Sequence, residues 1–362
     1  MKTIPQINQI YFFRFLAAMM VVFYHFCPLS APFSYGNEAV HFFFFLSGYI
    51  LTLNYLGANF GTRRELLKFY FKRLARIYPV YLLALLFTIL INLKAEQISV
   101  TWARFLPELV MLQSWFGKSS INSPAWSLSV ELSFYLSFPF LLTFLKHRRT
   151  LQLISIAVGI YLMNTVAGYL LLPKFNNSKF FLQYFPPVHL CTFTLGIIAG
   201  LFFLRNKSRL TEKIIHYKIL FYFLSLVFFV FLCYTLGLSH VNNGWLTPSY
   251  GLFIIALSLP SRLTQLISSK IFVWSGEISY SIYILQAPVW IFFKLFIPFP
   301  FMLYILLLIA VCGIVYQFYE VPLKSFILNK ISLNTSVKIP GFIWAPKKSS
   351  SLLDKGKKNH DG

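Results

Sequence analysis

IYFFRFLAAMMVVFYHFCPL, residues 10–29, decides the fold. As a helix these residues rise roughly 30 Å, the thickness of a bilayer's hydrocarbon core. Only Arg14 and His25 interrupt the apolar character. The N-terminal MKTIPQINQI has no cleavage site of the small-residue form, so the run is read as a retained helix and not a signal peptide. Similar runs recur to the end of the chain, at 40–57, 75–93, 128–145, 151–172, 188–204, 218–237, 247–260, 271–293 and 300–320. The run at 247–260 is short, and 99–116 is an amphipathic segment of an outer loop, interfacial or re-entrant. The expectation is an all-α polytopic transmembrane bundle of about ten spans.

Composition agrees: of 362 residues 57% are apolar, 12% are charged and 42 are phenylalanine, and mean hydropathy is +0.68. The phenylalanines read mostly as bulk lipid-facing hydrophobicity. Sugar stacking is a minor reading, kept for Trp115, Trp126 and Trp245. The formal net charge is +22, which in a soluble chain raises nucleic-acid binding. Here the basic residues fall in alternate loops, and no aromatic RNA-binding module or zinc-finger spacing accompanies them, so no nucleic acid is expected.

Arg63, Arg64, Lys68, Lys72 and Arg73 lie in a loop at 58–74. Lys146, Arg148 and Arg149 lie in the loop 146–150, Arg205, Lys207, Arg209 and Lys213 in 205–217, and Arg262 and Lys270 in 261–270. The other side holds only Lys94, Arg104, Lys118, Lys174, Lys179 and Lys294. By the positive-inside rule the basic side is cytoplasmic, and both termini with it. Residues 1–325 form the membrane domain. Residues 326–362 form a basic, disordered cytoplasmic tail within reach of anionic lipid headgroups. Cys27, Cys191, Cys233 and Cys312 lie in or beside apolar runs without C-x-x-C spacing, so no disulfide framework is expected. No ligand cluster has metal-site spacing.

Several polar residues are not explained by membrane packing. Arg14 and His25 are eleven apart, 20° beyond three full turns. They share a helical face, roughly 16 Å apart along the axis. Either they face the bundle interior, or Arg14 snorkels and His25 is a satisfied core histidine. His41 opens the second span as a vestibule or interfacial residue, and Ser47 and Gly48 follow, the glycine permitting close helix approach. Arg73 and Arg76, three apart, either hold phosphate through bidentate hydrogen bonds or are ordinary positive-inside charge. Within SPAWSLSVELSFYLSFP, residues 123–139, Trp126 and Ser127 start a helix that then carries Glu131 into an apolar run. Glu131 either tunes His25 or pairs an arginine. Glu277 and Glu320 sit near the cytoplasmic boundary as structural partners for arginine, and Gln286 sits deeper.

In this order the segments resemble the acyltransferase family 3 of integral-membrane enzymes, from Arg14 to Pro322. The R-x10-H feature falls on Arg14 and His25, the aromatic stretch ending in Ser-Gly on Phe42 to Gly48, and R-x-x-R on Arg73 and Arg76. W-S-L-x-x-E falls on Trp126, Ser127, Leu128 and Glu131, with Phe134, Tyr135 and Pro139 following. Ser279, Tyr280 and Tyr283 match the S-Y-x-x-Y-L region, and Glu320 and Pro322 the late E-x-P. Many relatives carry histidine where this chain has Gln286. The stretch after the tenth span is too short for the periplasmic hydrolase-like domain that larger relatives append, so none is expected.

The resemblance implies a membrane O-acetyltransferase of the bacterial cytoplasmic (inner) membrane. An acyl group, most often acetyl, would pass from cytoplasmic acetyl-CoA to a hydroxyl of a surface polysaccharide or its lipid-linked precursor. The implied partners are acyl-CoA, a carbohydrate acceptor and membrane lipid, with no bound cofactor. His25 is expected as general base, oriented by Glu131. Trp126, Ser127 or Gln286 would support the oxyanion. Arg14, Arg73 and Arg76 would bind the phosphates of CoA. The competing functions are a proton-coupled glycolipid transporter or flippase, a non-catalytic membrane assembly protein, and a same-fold enzyme using a succinyl donor or a non-sugar acceptor.

Overall fold

A computed structural model describes residues 8–27, 36–94, 101–116, 120–171, 183–212, 217–220, 222–228, 246–259, 267–296 and 300–333. Among these residues the regular structure is helical throughout. The helices are α1 (Gln9–Phe26), α2 (Gly36–Tyr55), α3 (Arg63–Lys94), α4 (Trp102–Leu109), α5 (Trp126–Leu145), α6 (Thr150–Leu171), α7 (Pro186–Leu210), α8 (Thr247–Ser258), α9 (Lys270–Phe296), α10 (Phe301–Val315) and α11 (Val321–Leu333). Among the described residues seven helical stretches are long and apolar enough to cross a membrane, including Gln9–Phe26, Arg63–Leu93 and Phe301–Lys330. The shorter apolar helix Thr247–Ser258 matches the short span read from sequence. Half of the expected span 218–237, together with Cys233, Trp245, Arg262, Lys213, Lys118, Lys174 and Lys179, lies outside the described residues, as does the tail beyond Leu333.

Two expectations need correction. The basic loop 58–74 is helical from Arg63 onward. Its apolar residues recur every three to four positions, and Phe69 is buried in the aromatic core, stacked on Phe138 with centroids 5.4 Å apart. The last span does not stop at 320 but runs through a π-helical turn, Tyr316–Glu320, into α11, past the expected tail boundary at 325. Pro322 has no N–H to give the carbonyl of Phe318, four residues back. The adjacent register shift pairs the Val321 N–H with the Tyr316 carbonyl.

The bundle is built around close crossings. α2 packs chiefly on α7, and α1 on α9. A Cβ on Gly48 would strike the Phe193 carbonyl, and one on Gly196 the Phe45 carbonyl, so each glycine admits the other helix's backbone. Gly276 does the same for α9 against Tyr11 of α1. Phe134 and Phe193 stack beside the α2–α7 crossing, 4.4 Å apart and 7° from parallel. Small residues bring α1, α2, α7 and α9 into contact, while α3 and α5 stand against them. The side chains facing inward from α1, α2, α3, α5 and α9 leave a cavity of about 110 Å³.

Candidate active site

Three guanidinium-bearing residues line this cavity: Arg14 of α1, with Arg73 and Arg76 of α3. Ser47 of α2, Ser127, Glu131 and Tyr135 of α5, and Ser279, Tyr280 and Tyr283 of α9 complete its polar wall. Helical geometry explains the set. Arg73 and Arg76 are three apart, Ser127, Glu131 and Tyr135 four apart, and Ser279, Tyr280 and Tyr283 within one turn. Each trio presents a single face.

Each arginine is held differently. Arg73 is 8% exposed; its Nη2 donates to the Tyr55 hydroxyl at 3.0 Å, and its guanidinium lies over the Tyr55 and Phe69 rings at 5.3 and 5.9 Å. Arg14 feels the like charge of Arg76 and the opposing charges of Glu131 and Glu320. Arg76 feels the same two carboxylates. Glu131 Oε1 accepts the Tyr135 hydroxyl at 2.5 Å. Three cations therefore line the cavity against one lining carboxylate, a balance that favours an anionic guest.

Hydroxyls cluster at the start of α5. Tyr283 reaches Ser127 Oγ at 2.8 Å and the Pro124 carbonyl at 3.1 Å, and Ser127 itself donates to the Pro124 carbonyl at 3.1 Å. Tyr280 donates to the Ile77 carbonyl at 2.6 Å, tying α9 to α3 beside Arg76.

Other expected residues lie apart from the cavity. His25 is exposed at the far end of α1, its ring beside Tyr24 and Phe26, and it does not line the cavity. The expected orientation of His25 by Glu131 is therefore not made: Glu131 stands with the arginines, about three helical turns of α1 away from the imidazole. Gln286 is fully buried and its amide folds back onto the Tyr283 carbonyl at 2.7 Å, away from the cavity. Trp126 packs against Phe44, Tyr184 and His189 instead of entering it. His41 does not line the cavity: it is 5% exposed and packs on α7, 5.3 Å from the His189 ring.

Glu320, buried in the π-helical turn, accepts the Ser281 hydroxyl at 2.9 Å and stands in the field of Lys324, Arg76 and Arg14. Glu277 faces Tyr316 and Lys324. Sequence reasoning did not single out Tyr55, and it named Tyr135 and Ser279 only as parts of motifs. A signal existed for Tyr135, which lies one turn beyond Glu131 on the same face. Among the described residues no three His, Cys, Asp or Glu side chains come together as a metal site.

These features define a polytopic helical protein with a cationic, hydroxyl-lined chamber inside its bundle. The chain belongs to the acyltransferase family 3, whose model, described as an acyltransferase domain, matches residues 7–320, and it is a membrane acyltransferase. It is 28% identical to the protein ORF330 of Acidianus two-tailed virus over 77% of this chain and 81% of that one. It is 27% identical to the O-acetyltransferase OatA of Staphylococcus aureus over 86% of this chain and 56% of that one. To the acyltransferase MdmB of Streptomyces mycarofaciens it is 30% identical over 46% of each. The chain thus spans about half the length of the latter two. No solved structure matches it.

Proposed function

We propose that this protein moves an acetyl group from cytoplasmic acetyl-CoA to a hydroxyl of a surface polysaccharide or its lipid-linked precursor, in a bacterial cytoplasmic membrane. The observation that carries the reading is the convergence of Arg14, Arg73 and Arg76 on one chamber with hydroxyls at its wall. Guanidiniums recognise phosphate oxygens through planar pairs of hydrogen bonds, and CoA is the phosphate-bearing acyl donor. In this reading the membrane domain carries catalysis and runs to the end of α11, and the basic tail follows it.

In the transfer, the acceptor oxygen attacks the thioester carbonyl and forms the new ester bond. The carbon–sulfur bond breaks, and CoA leaves as a thiol after taking up a proton. His25, at the end of α1 away from the arginines, takes the acceptor's proton. Glu131 balances the arginines between donor molecules, a change from the role expected of it. The Tyr283 hydroxyl, in contact with Ser127, is the donor nearest to hand for the oxyanion. The name of OatA, an O-acetyltransferase, supports acetyl as the group and oxygen as the acceptor.

The test is transfer of labelled acetyl from acetyl-CoA to lipid-extractable saccharide by the protein in nanodiscs. Labelled product with wild type and none with His25→Ala is expected. Folded wild type that binds no acetyl-CoA up to millimolar concentration sinks the reading; labelled saccharide made only from succinyl-CoA moves the donor.

A further inference from the structure

Glu108 lies outside the seven spanning stretches and outside the cavity, yet is 1% exposed. It ends α4, the short helix of the segment that leads into α5. Its Oε1 accepts the Ile121 N–H at 2.6 Å, across a turn in which Met111 adopts a φ of 55°. Its main-chain carbonyl accepts the Tyr81 hydroxyl at 2.5 Å, and its Oε2 lies 3.2 Å from the same hydroxyl. A phenol has one proton. With that proton on the carbonyl, the second contact sets oxygen against oxygen unless the carboxyl is protonated and donates to Tyr81. The arrangement fits a neutral carboxylic acid.

The same segment is bonded onward to the chamber. Gln113 Nε2 donates to the Ala125 carbonyl at 2.9 Å, and Ser114 Oγ to the Trp126 carbonyl at 2.9 Å. Asn122 Nδ2 donates to Ile284 of α9 at 2.8 Å, and the Tyr78 hydroxyl to the Leu109 carbonyl at 3.0 Å. Ala125 and Trp126 precede Ser127 directly, and Glu131 follows one turn later. The carboxyl of Glu108 therefore closes a polar buckle that sets the height of the first turn of α5 against α3 and α9.

We propose that Glu108 is a positioning residue for acyl transfer: as a neutral acid it locks the buckle that holds Ser127 and Glu131 at the chamber, and its ionisation loosens them. The proposal rests on the acyltransfer reading for its kinetic arm. The titratable groups around Glu108 are Tyr81 and Tyr78 of α3 and Arg104 of its own helix. Burial holds its pKa up at about 7, against the pull of the Ile121 N–H and Arg104, which places the switch at near-neutral pH.

Glu108→Gln keeps an acceptor for Ile121 and a permanent donor for Tyr81 and cannot ionise. Its kcat should equal that of wild type at about pH 6 and exceed it by about fivefold at about pH 8.5, with KM for acetyl-CoA unchanged. Taking the ratio at each pH cancels the titration of His25. Glu108→Ala, where it folds, should lower kcat by about tenfold with the same KM. Hydrogen–deuterium exchange, corrected for the intrinsic rate, should show amides 121–130 losing protection over the same interval in wild type and not in Glu108→Gln. That arm needs no acetyl transfer, so an inactive preparation leaves it decisive. A pH-independent rate ratio, or protection that follows pH equally in both proteins, overturns the proposal.

Discussion

Replacing Arg73 by alanine should weaken acetyl-CoA binding while leaving a folded protein. The guanidinium offers five N–H donors, and one is committed to Tyr55 at 3.0 Å. Its Nε has no partner within hydrogen-bond distance among the described residues, although the side chain is only 8% exposed. A buried cation with donors to spare, beside two other arginines, is set up for an anion. A charge-assisted hydrogen bond contributes about 1.5–3 kcal/mol, which is about a 10- to 150-fold change in Kd. Arg73→Lys keeps the charge but loses the planar fork and its packing over Tyr55, so about a 3- to 10-fold loss is expected. Tyr55→Phe removes only the anchoring hydroxyl, and about fivefold is expected from one hydrogen bond. Calorimetry on protein in nanodiscs reads these values directly. Repeating the titration with dephospho-CoA separates contacts: a variant that has lost the 3′-phosphate contact suffers no further loss with the shortened ligand. Equal Kd for wild type and both Arg73 variants at low and high salt would refute the argument that the chamber's positive charge holds the donor.

Further expectations follow from other parts of the chamber and the bundle. Glu131→Gln removes the one carboxylate lining the cavity, so acetyl-CoA should bind a few-fold tighter while kcat falls, and weaker binding would show that Glu131 touches the donor differently. His25→Ala should leave donor binding within about twofold and lower kcat by about 10²-fold or more, because a lost general base affects the chemical step; a binding loss as large as that of Arg73→Ala would argue against it. Gly196→Val forces a side chain into the Phe45 carbonyl and should cost about 1–3 kcal/mol or more, read as a lowered Tm in detergent, whereas Gly159→Val, facing open space, should not. For Glu108, the folded state holds the proton more tightly than the unfolded chain, with a pKa near 7 against an ordinary 4.5. Its contribution is therefore fully present below about pH 4.5 and is lost as pH rises through 7, a span of about 3 kcal/mol. The Tm of wild type should fall over that interval relative to Glu108→Gln.

Much of the chamber was legible in the sequence because its residues recur at helical spacing. Arg73 and Arg76, Ser127 and Glu131, Tyr280 and Tyr283 each share a face, and the structure turns those faces inward. Offsets between helices were not legible. Glu131 was expected beside His25, since the alternation of basic loops puts both toward the outer side, but the depth of α5 relative to α1 is set by contacts far from either residue. The Gly276–Tyr11 crossing fixes α1 on α9, and the Glu108 buckle fixes the start of α5. The N-terminal extension of α3 was hidden for another reason: its charges match a basic loop, while the apolar face formed by Phe69 and its neighbours is masked by them. Pro322 was read only as part of the E-x-P match, so the wider turn before it was not foreseen.

The positions of Arg14 and His25 constrain how the donor must approach. The two share a face of one continuous helix, so no hinge within α1 can bring them together. In the proposed reading their separation of roughly 16 Å is bridged by the substrate, through an extended arm between phosphate and thioester. The chamber wall carries Phe43, Phe44, Leu46, Ile50 and Leu51 beside Ser47, Ser127 and Tyr283. An apolar lane with a few hydroxyls suits an amide-containing chain better than a second charged group. This geometry predicts that lengthening or shortening the arm of the donor is more harmful to kcat than to Kd. The phosphates would stay on their arginines while the thioester misses His25. A series of acetyl-CoA analogues whose pantetheine arm differs by one methylene, with the phosphates kept, tests it: kcat should fall by about 10²-fold for the wrong length with Kd little changed, since misplacing the reacting atoms by about 1 Å carries a penalty of that order. If instead Kd and kcat fall in step, the thioester is not held at a fixed distance from the phosphates, and the base that completes transfer lies in the chamber and not at His25.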